Sequence, residues 1–291
     1  MNKEAMKQQI QEALSKKLGD GFHITIQKVF KPNRELDGLI IMTADEDISP
    51  TIYLEPFYKI LEDGKPVDIA VNKILQEYNL AKSKAVCFDI KHMNDFDYVK
   101  DRLFIQLVNR HLNKKLLQNV PHAMFLDDFA VVVRCRIDEK EGGLASFLIH
   151  NRYLEMWDTD GETVLSQARR NMQETHDVDL MPVEQLIKIL FPAFDGQPSD
   201  RRLWVMTNRM RSYGAATVLF DEVLEDFARE HGSFYVIFSS LHEALLILSP
   251  DGSDIDSYTK LNQDINATAL EEDEVLGTKV YFYQKDRGFV L

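Results

Sequence analysis

The chain is short of cysteine, of glycine and of basic residues, and each shortage removes a class of protein. Two cysteines, Cys87 and Cys135, in 291 residues cannot staple a disulfide scaffold, and both are expected to stay reduced as small apolar side chains. Thirteen glycines include no Gly-x-Gly-x-x-Gly and no Gly-x-x-x-x-Gly-Lys, so the two common glycine-based phosphate cradles are absent. Basic residues number 34 against 47 acidic ones, a formal charge of −13, and a surface of that sign repels a phosphate backbone. Nucleic acid is therefore not an expected partner. No apolar run approaches the 20 or so residues of a membrane span, and Met1-Asn2-Lys3-Glu4-Ala5 opens no secretory signal. A cytoplasmic protein with no membrane partner is expected. What is present is an apolar fraction of 45%, enough for one large core or two smaller ones.

Periodicity predicts how those apolar residues are used. Met6, Ile10, Ala13, Leu14 and Leu18 recur at helical spacing, and Gly19 supplies a stop. Phe22 to Phe30 alternates as a half-buried strand, Leu39 to Met42 reads as its hairpin partner, and two helices follow around Tyr53 to Leu61 and Val67 to Tyr78. The pattern lapses between Asn79 and Phe96, which places a boundary there and predicts an N-terminal α+β unit over 1–95 and a larger one over 96–291.

In the larger unit Leu103 to Val108 fits either a strand or a helix, whereas Phe129 to Cys135 is continuous and β-branched, as a central strand would be. Gly142-Gly143 offers a turn into a strand over 144–149, and Thr159 with Glu162 has capping-box spacing for a helix carrying Val164, Leu165, Ala168 and Met172. A further helix is expected from Pro182 to just before Pro192. Strands are expected at 203–206, 215–220, 234–238, 244–248 and 279–283. Between them fall a helix over 220–231 and, after the turn Pro250-Asp251-Gly252, one capped by Ser253 and carrying Ile255, Tyr258, Leu261 and Ile265. Strands and helices interleave without a regular βαβ beat, so the fold class is α+β, with a mixed or antiparallel sheet and helices packed on it.

Chemistry-bearing residues form few groups. The eight histidines are scattered, and none has a histidine or cysteine partner at metal-ligand spacing, so neither metal nor cofactor is expected. His122 with Asp127 and Asp128 would approach a cation site only if the loop folded back; a turn before a strand explains them without one. The most suggestive group is Ser239-Ser240-Leu241-His242-Glu243, which joins two apolar strands and sets hydroxyl, imidazole and carboxylate at a sheet end. Adjacent residues on a tight turn seldom aim at one another, and no nucleophile elbow accompanies them.

Arg209 and Arg211 fall in a loop where guanidinium groups would hold a carboxylate or phosphate, or pair with surface carboxylates. Arg134 and Arg136, two apart on the central strand, share a face. Asn266-Ala267-Thr268 is a chance sequon in an intracellular chain, and Glu271 to Glu274 reads as a solvated acidic run able to meet a basic partner. Two functions follow: a non-catalytic module that binds a protein partner, favoured by the lack of an assembled acid, base and nucleophile, or a hydrolase built on Ser239 or Ser240 with His242 and Glu243.

The stretches Ile48 to Leu54, Asn119-Val120-Pro121-His122, Phe125-Leu126-Asp127 and Leu154 to Trp157, with Tyr213 to Ala216 and Ser239 to Glu243, carry a resemblance. In them the chain resembles an uncharacterised bacterial family, a domain of unknown function from gut bacteria and their mobile elements. The last third is also similar to a second uncharacterised bacterial family with the same order of strand, helix, strand, polar turn and strand. The resemblance implies an α+β order and a bacterial cytosol; it brings no activity and no site residue.

Overall fold

The computed structural model describes residues 2–45, 49–83, 92–140, 143–191, 202–248 and 255–290. Cys87, Gly142, Pro192, the 250–252 turn and the cap at Ser253 lie outside them. The chain divides into two compact units, 1–87 and 88–291. Among the described residues no helix is long and apolar enough to cross a membrane.

In the first unit, α1 (Lys3–Leu18) starts at Asn2, whose side chain accepts from the Ala5 amide, and ends at Gly19, which holds φ +79°. β1 (Phe22–Lys31) and β2 (Arg34–Thr43) pair antiparallel from Phe22 opposite Thr43 to Lys31 opposite Arg34, across a two-residue turn at Pro32-Asn33. A three-residue strand, β3 (Thr51–Tyr53), adds to β2; it replaces the start of the helix expected around Tyr53. α2 (Glu55–Glu62) and α3 (Val67–Ser83) complete the unit. Met6, Ile10 and Leu14 of α1 meet Leu39, Ile41, Phe57, Val71 and Ile74 in one core.

One ionic group fastens these elements. Asp37 on β2 is 1% exposed, and its carboxylate lies 3.1 Å from Lys7, 3.1 Å from Lys28 and 3.5 Å from Lys3, while the Tyr58 hydroxyl donates to it at 3.0 Å. Burial alone would raise its pKa; the hydrogen bonds from Lys28, Lys7 and Tyr58 outweigh that and hold it at about 2.

The second unit begins with α4 (Phe96–Val99), β4 (Leu103–Asn109), α5 (Lys114–Leu117) and the short β5 (His122–Phe125). β6 (Phe129–Lys140) and β7 (Gly143–Leu148) form the expected hairpin, followed by α6 (Asn151–Met156) and α7 (Gly161–Thr175). Next come β8 (Asp179–Pro182), α8 (Val183–Leu190), β9 (Leu203–Thr207), α9 (Asp221–His231), β10 (Phe234–Ile237), β11 (Ala244–Ile247), α10 (Ile255–Thr268), β12 (Val280–Gln284) and β13 (Gly288–Val290). β6 carries β4 on one edge and β5 then β7 on the other. The remaining strands make a six-stranded sheet in the order β13-β12-β10-β11-β9-β8, and every pairing in both sheets is antiparallel. The fold is α+β with helices packed on sheets.

Alternation along the strands splits the apolar side chains between two layers. Leu103, Ile105, Val131 and Val133 join Phe234, Val236, Phe238 and Leu246 with Ala168, Leu224 and Phe227 in the main core. Tyr235, Ile237, Leu245 and Ile247 face the other way, against Val183 and Leu186 of α8 and Tyr258 and Ile265 of α10. Cys135 is buried, and burial pushes its thiol up to about 12.

Three local expectations change. Residues 214–219 form a 3-10 helix where a strand over 215–220 was expected: the Thr217 hydroxyl donates back to the Gly214 carbonyl at 2.7 Å, and Gly214 to Val218 are buried. The cap of α7 is Asp160, whose carboxylate accepts the Thr163 amide at 2.7 Å, one residue later than Thr159. β8, β5 and β13 were beyond a periodicity argument at three or four residues each, and β8 ends on Pro182 because it lies at a sheet edge.

Replacing Asp37 by asparagine leaves Lys3, Lys7 and Lys28 without their shared counter-charge. Denaturant unfolding of the Asp37→Asn chain should show a loss of about 3 kcal/mol. The wild type gains stability from Asp37 above the unfolded carboxyl value of 3.8 and should lose about 2 kcal/mol as the pH falls from 4 through 2, a component absent from the variant.

Candidate functional site

The polar turn between β10 and β11 becomes part of a larger group once the chain is folded. Phe238 continues into an extended stretch in which Ser239 accepts the Leu276 amide, Leu241 donates to the Glu274 carbonyl, and Ser240 bridges Val275. These bonds carry Glu274, from the acidic run, to the imidazole of His242: Nε2 is 3.4 Å from its carboxylate. On the other side of the ring, the Tyr213 amide donates to Nδ1 at 3.3 Å. An amide only donates, so Nδ1 is the unprotonated nitrogen and the proton sits on Nε2, facing Glu274.

Tyr213 is the hub. It adopts φ +59°, and its ring lies 5.9 Å from the His242 ring and 5.7 Å from Phe104. The Arg134 guanidinium stacks over it at 4.6 Å, held by bonds to Ser146 Oγ (3.0 Å), the Ser146 carbonyl (3.1 Å) and Gln106 Oε1 (3.1 Å). Gly214 lets the loop close: a Cβ there would lie 2.5 Å from the His242 carbonyl and overlap Thr207 Oγ1, which itself donates to that carbonyl at 2.7 Å. Sequence reasoning singled out Arg134 and His242, did not assign Tyr213 to the site, and placed Glu274 only in a solvated acidic run able to meet a basic partner. A glycine after an aromatic residue in a loop was the available signal for Tyr213; nothing local pairs Glu274 with His242.

The other candidates take local partners. Both serines are 1% exposed; Ser240 Oγ accepts the His242 amide at 2.9 Å and bonds the Glu243 side chain, and Ser239 Oγ has no hydrogen-bond partner among the described residues. The imidazole thus faces an amide and a carboxylate rather than either hydroxyl. Glu243 has a raised pKa, from burial, against the opposing influence of His242 and the Ser240 bond. Arg209 pairs with Asp177, whose carboxylate lies 3.4 Å from its Nε and accepts its amide at 3.0 Å. Arg211 takes φ +49°, and its buried Nε has no hydrogen-bond partner among the described residues.

His122 and Asp128 do not meet at a cation site. His122 Nδ1 donates to the Val120 carbonyl at 3.1 Å. Asp128 receives Lys279 Nζ at 2.6 Å, the Tyr281 hydroxyl at 2.6 Å and His111 Nε2 at 3.1 Å; burial opposes its ionisation, but Lys279 and Tyr281 hold its pKa below the usual carboxylate value. Among the described residues no three His, Cys, Asp or Glu side chains gather as metal ligands.

Beside Tyr213 is a cavity of about 100 Å³ between β4, the end of α7 and the 208–213 loop. Leu103, Ile105, Met172 and Met210 give it apolar walls, and Asp101, Asn171 and Asp177 are among its polar ones. Asn171 is committed to the fold, since its Nδ2 donates to the Lys100 and Leu103 carbonyls at 2.7 and 2.8 Å.

An antiparallel α+β chain whose polar centre is assembled from four separated segments is the class defined by fold and site. The model of the Family of unknown function DUF5688 matches residues 3–285, and the chain belongs to that family. No curated protein and no solved structure matches it.

Alanine at 214 should cost about 2 kcal/mol, because the added methyl must displace the carbonyl of His242 and the hydroxyl of Thr207. A thermal melt of Gly214→Ala checks this, with a fall of about 6 °C expected for a unit of this size.

Proposed function

We propose that this protein works by binding rather than by catalysis, as a module that recognises a protein partner in the cytoplasm. The observation that supports this reading is that three of the reactive-looking side chains of the polar centre, Ser240, His242 and Glu243, are spent on one another and on backbone. Both His242 nitrogens are engaged, and Ser240 serves a backbone amide and Glu243. A base whose acceptor nitrogen already holds an amide proton has no lone pair for a reactant. What the centre supports instead is a fixed loop, 208–213, beside a cavity of the size of a single side chain. Its apolar walls, with the carboxylates of Asp101 and Asp177 against the one arginine Arg136, suit the aliphatic stem and charged head of a lysine or arginine presented by a partner.

A second reading has its own observation. Glu243 is a burial-raised carboxyl bonded to a serine hydroxyl and next to an imidazole, and perturbed acids cluster at catalytic centres. On that reading the protein is a hydrolase that uses Ser240, His242 and Glu243.

Two variants separate these readings. Met210→Asp, at the cavity wall, should abolish capture of the partner that co-purifies stoichiometrically with the wild type, with an unchanged circular dichroism spectrum. Turnover of an ester, amide or phosphoester substrate by the purified chain, lost in His242→Ala, would replace the binding reading by the hydrolytic one.

A further inference from the structure

α10 packs on the outer face of the six-stranded sheet, yet its one fully buried residue is polar: Asn262 is 0% exposed. Its Nδ2 donates to the Lys279 carbonyl at 3.4 Å, and one turn later Asn266 Nδ2 donates to the Gly277 carbonyl at 2.8 Å. These bonds orient both amides, and they leave Asn262 Oδ1 and Asn266 Oδ1 buried with no hydrogen-bond partner among the described residues. Ser239 Oγ is a third such atom.

The three residues are bonded to one stretch of chain. Ser239 is tied to this stretch through its carbonyl, which accepts the Leu276 amide at 2.8 Å. All three therefore attach to residues 276–279, whose three Cα steps span at most about 11 Å. Tyr235 and Ile237 face α10 and Phe238 faces the main core, so alternation turns Ser239 toward α10 as well. Residues four apart on a helix present their side chains about 6 Å from each other, close enough for one molecule to reach both oxygens.

We propose that Ser239, Asn262 and Asn266 enclose a single buried water molecule that couples α10 to the 276–279 segment. Two amide oxygens need two donated protons and a serine hydroxyl needs one acceptor or donor, and a water molecule meets all three demands at once. A metal cation is the weaker occupant, because three neutral oxygens fall short of a cation's coordination and none brings a negative charge. The segment this water holds is the one that carries Glu274 to His242 and Lys279 and Tyr281 to Asp128. The bridge thus positions groups of the polar centre without touching them.

A crystal structure of the full chain at 1.5 Å or better tests the occupant. The expected result is one density peak about 2.7–3.1 Å from all three oxygens. No peak, a peak within reach of only one of the three, or a peak about 2.3–2.6 Å from five or more oxygens, as a cation would give, overturns the proposal. A solution test is the double-mutant cycle of Ser239→Ala with Asn262→Ala, read by melting temperature. A shared water predicts that the double variant melts higher than the sum of the two single shifts allows, in sodium, potassium and choline chloride alike. Additive shifts, or a melting temperature that rises with one cation only, would sink it.

Discussion

A carboxylate that leaves water must find donors for its lone pairs, and each unit of this protein is organised around one that does. Asp37 gathers lysines from α1 and β1 and a tyrosine from α2 onto a strand between them. Asp128, at the head of β6, draws Lys279 and Tyr281 from the other sheet and His111 from the loop after β4. Neither cluster offers a free charge, yet each fixes the relative placement of elements whose apolar faces alone would tolerate sliding. The side chains of Phe129, Phe238 and Tyr281, with ring centroids 4.8 to 5.5 Å apart, fill the space directly behind Asp128. The ionic group and the aromatic cluster therefore specify the same junction between sheets.

The second sheet supplies the polar centre through that junction. Residues 274–281 run from Glu274, beside His242, to Tyr281, beneath Asp128, and are pinned along the way by Asn109, whose Nδ2 donates to the Leu276 carbonyl at 2.8 Å. Tyr213 completes the centre from the other side, held in a left-handed conformation by the glycine that follows it and stacked beneath Arg134. Rigid surroundings of this kind suit recognition, where a surface has to be ready before its ligand arrives.

Much of the fold was legible from periodicity, since long elements repeat their pattern often enough to be recognised. α1, the β1–β2 hairpin, α9 and β6 follow directly from apolar spacing. The failures share a cause: Gly214 to Val218 is buried without a break, so its residues carry no period at all, and β5, β8 and β13 are too short to establish one. The centre was only half visible. His242, Ser240 and Glu243 are neighbours in sequence, whereas Glu274 is brought in by the bridge from Ser240 to Val275 and Arg134 by stacking on the distant Tyr213, contacts which no local pattern encodes.

β6 has twelve residues and three partners, and its ladder shifts register between Arg136 and Asp138. Upstream of that shift the strand is clamped on both edges by β4 and β5, and a slip of one position would turn Val131, Val133 and Cys135 out of the core. Downstream it has β7 alone, already out of phase with the rest. The outer part of the ladder, 138–140 with 143–145, is thereby held by a single partner strand, and its alignment can change while the clamped half keeps its own.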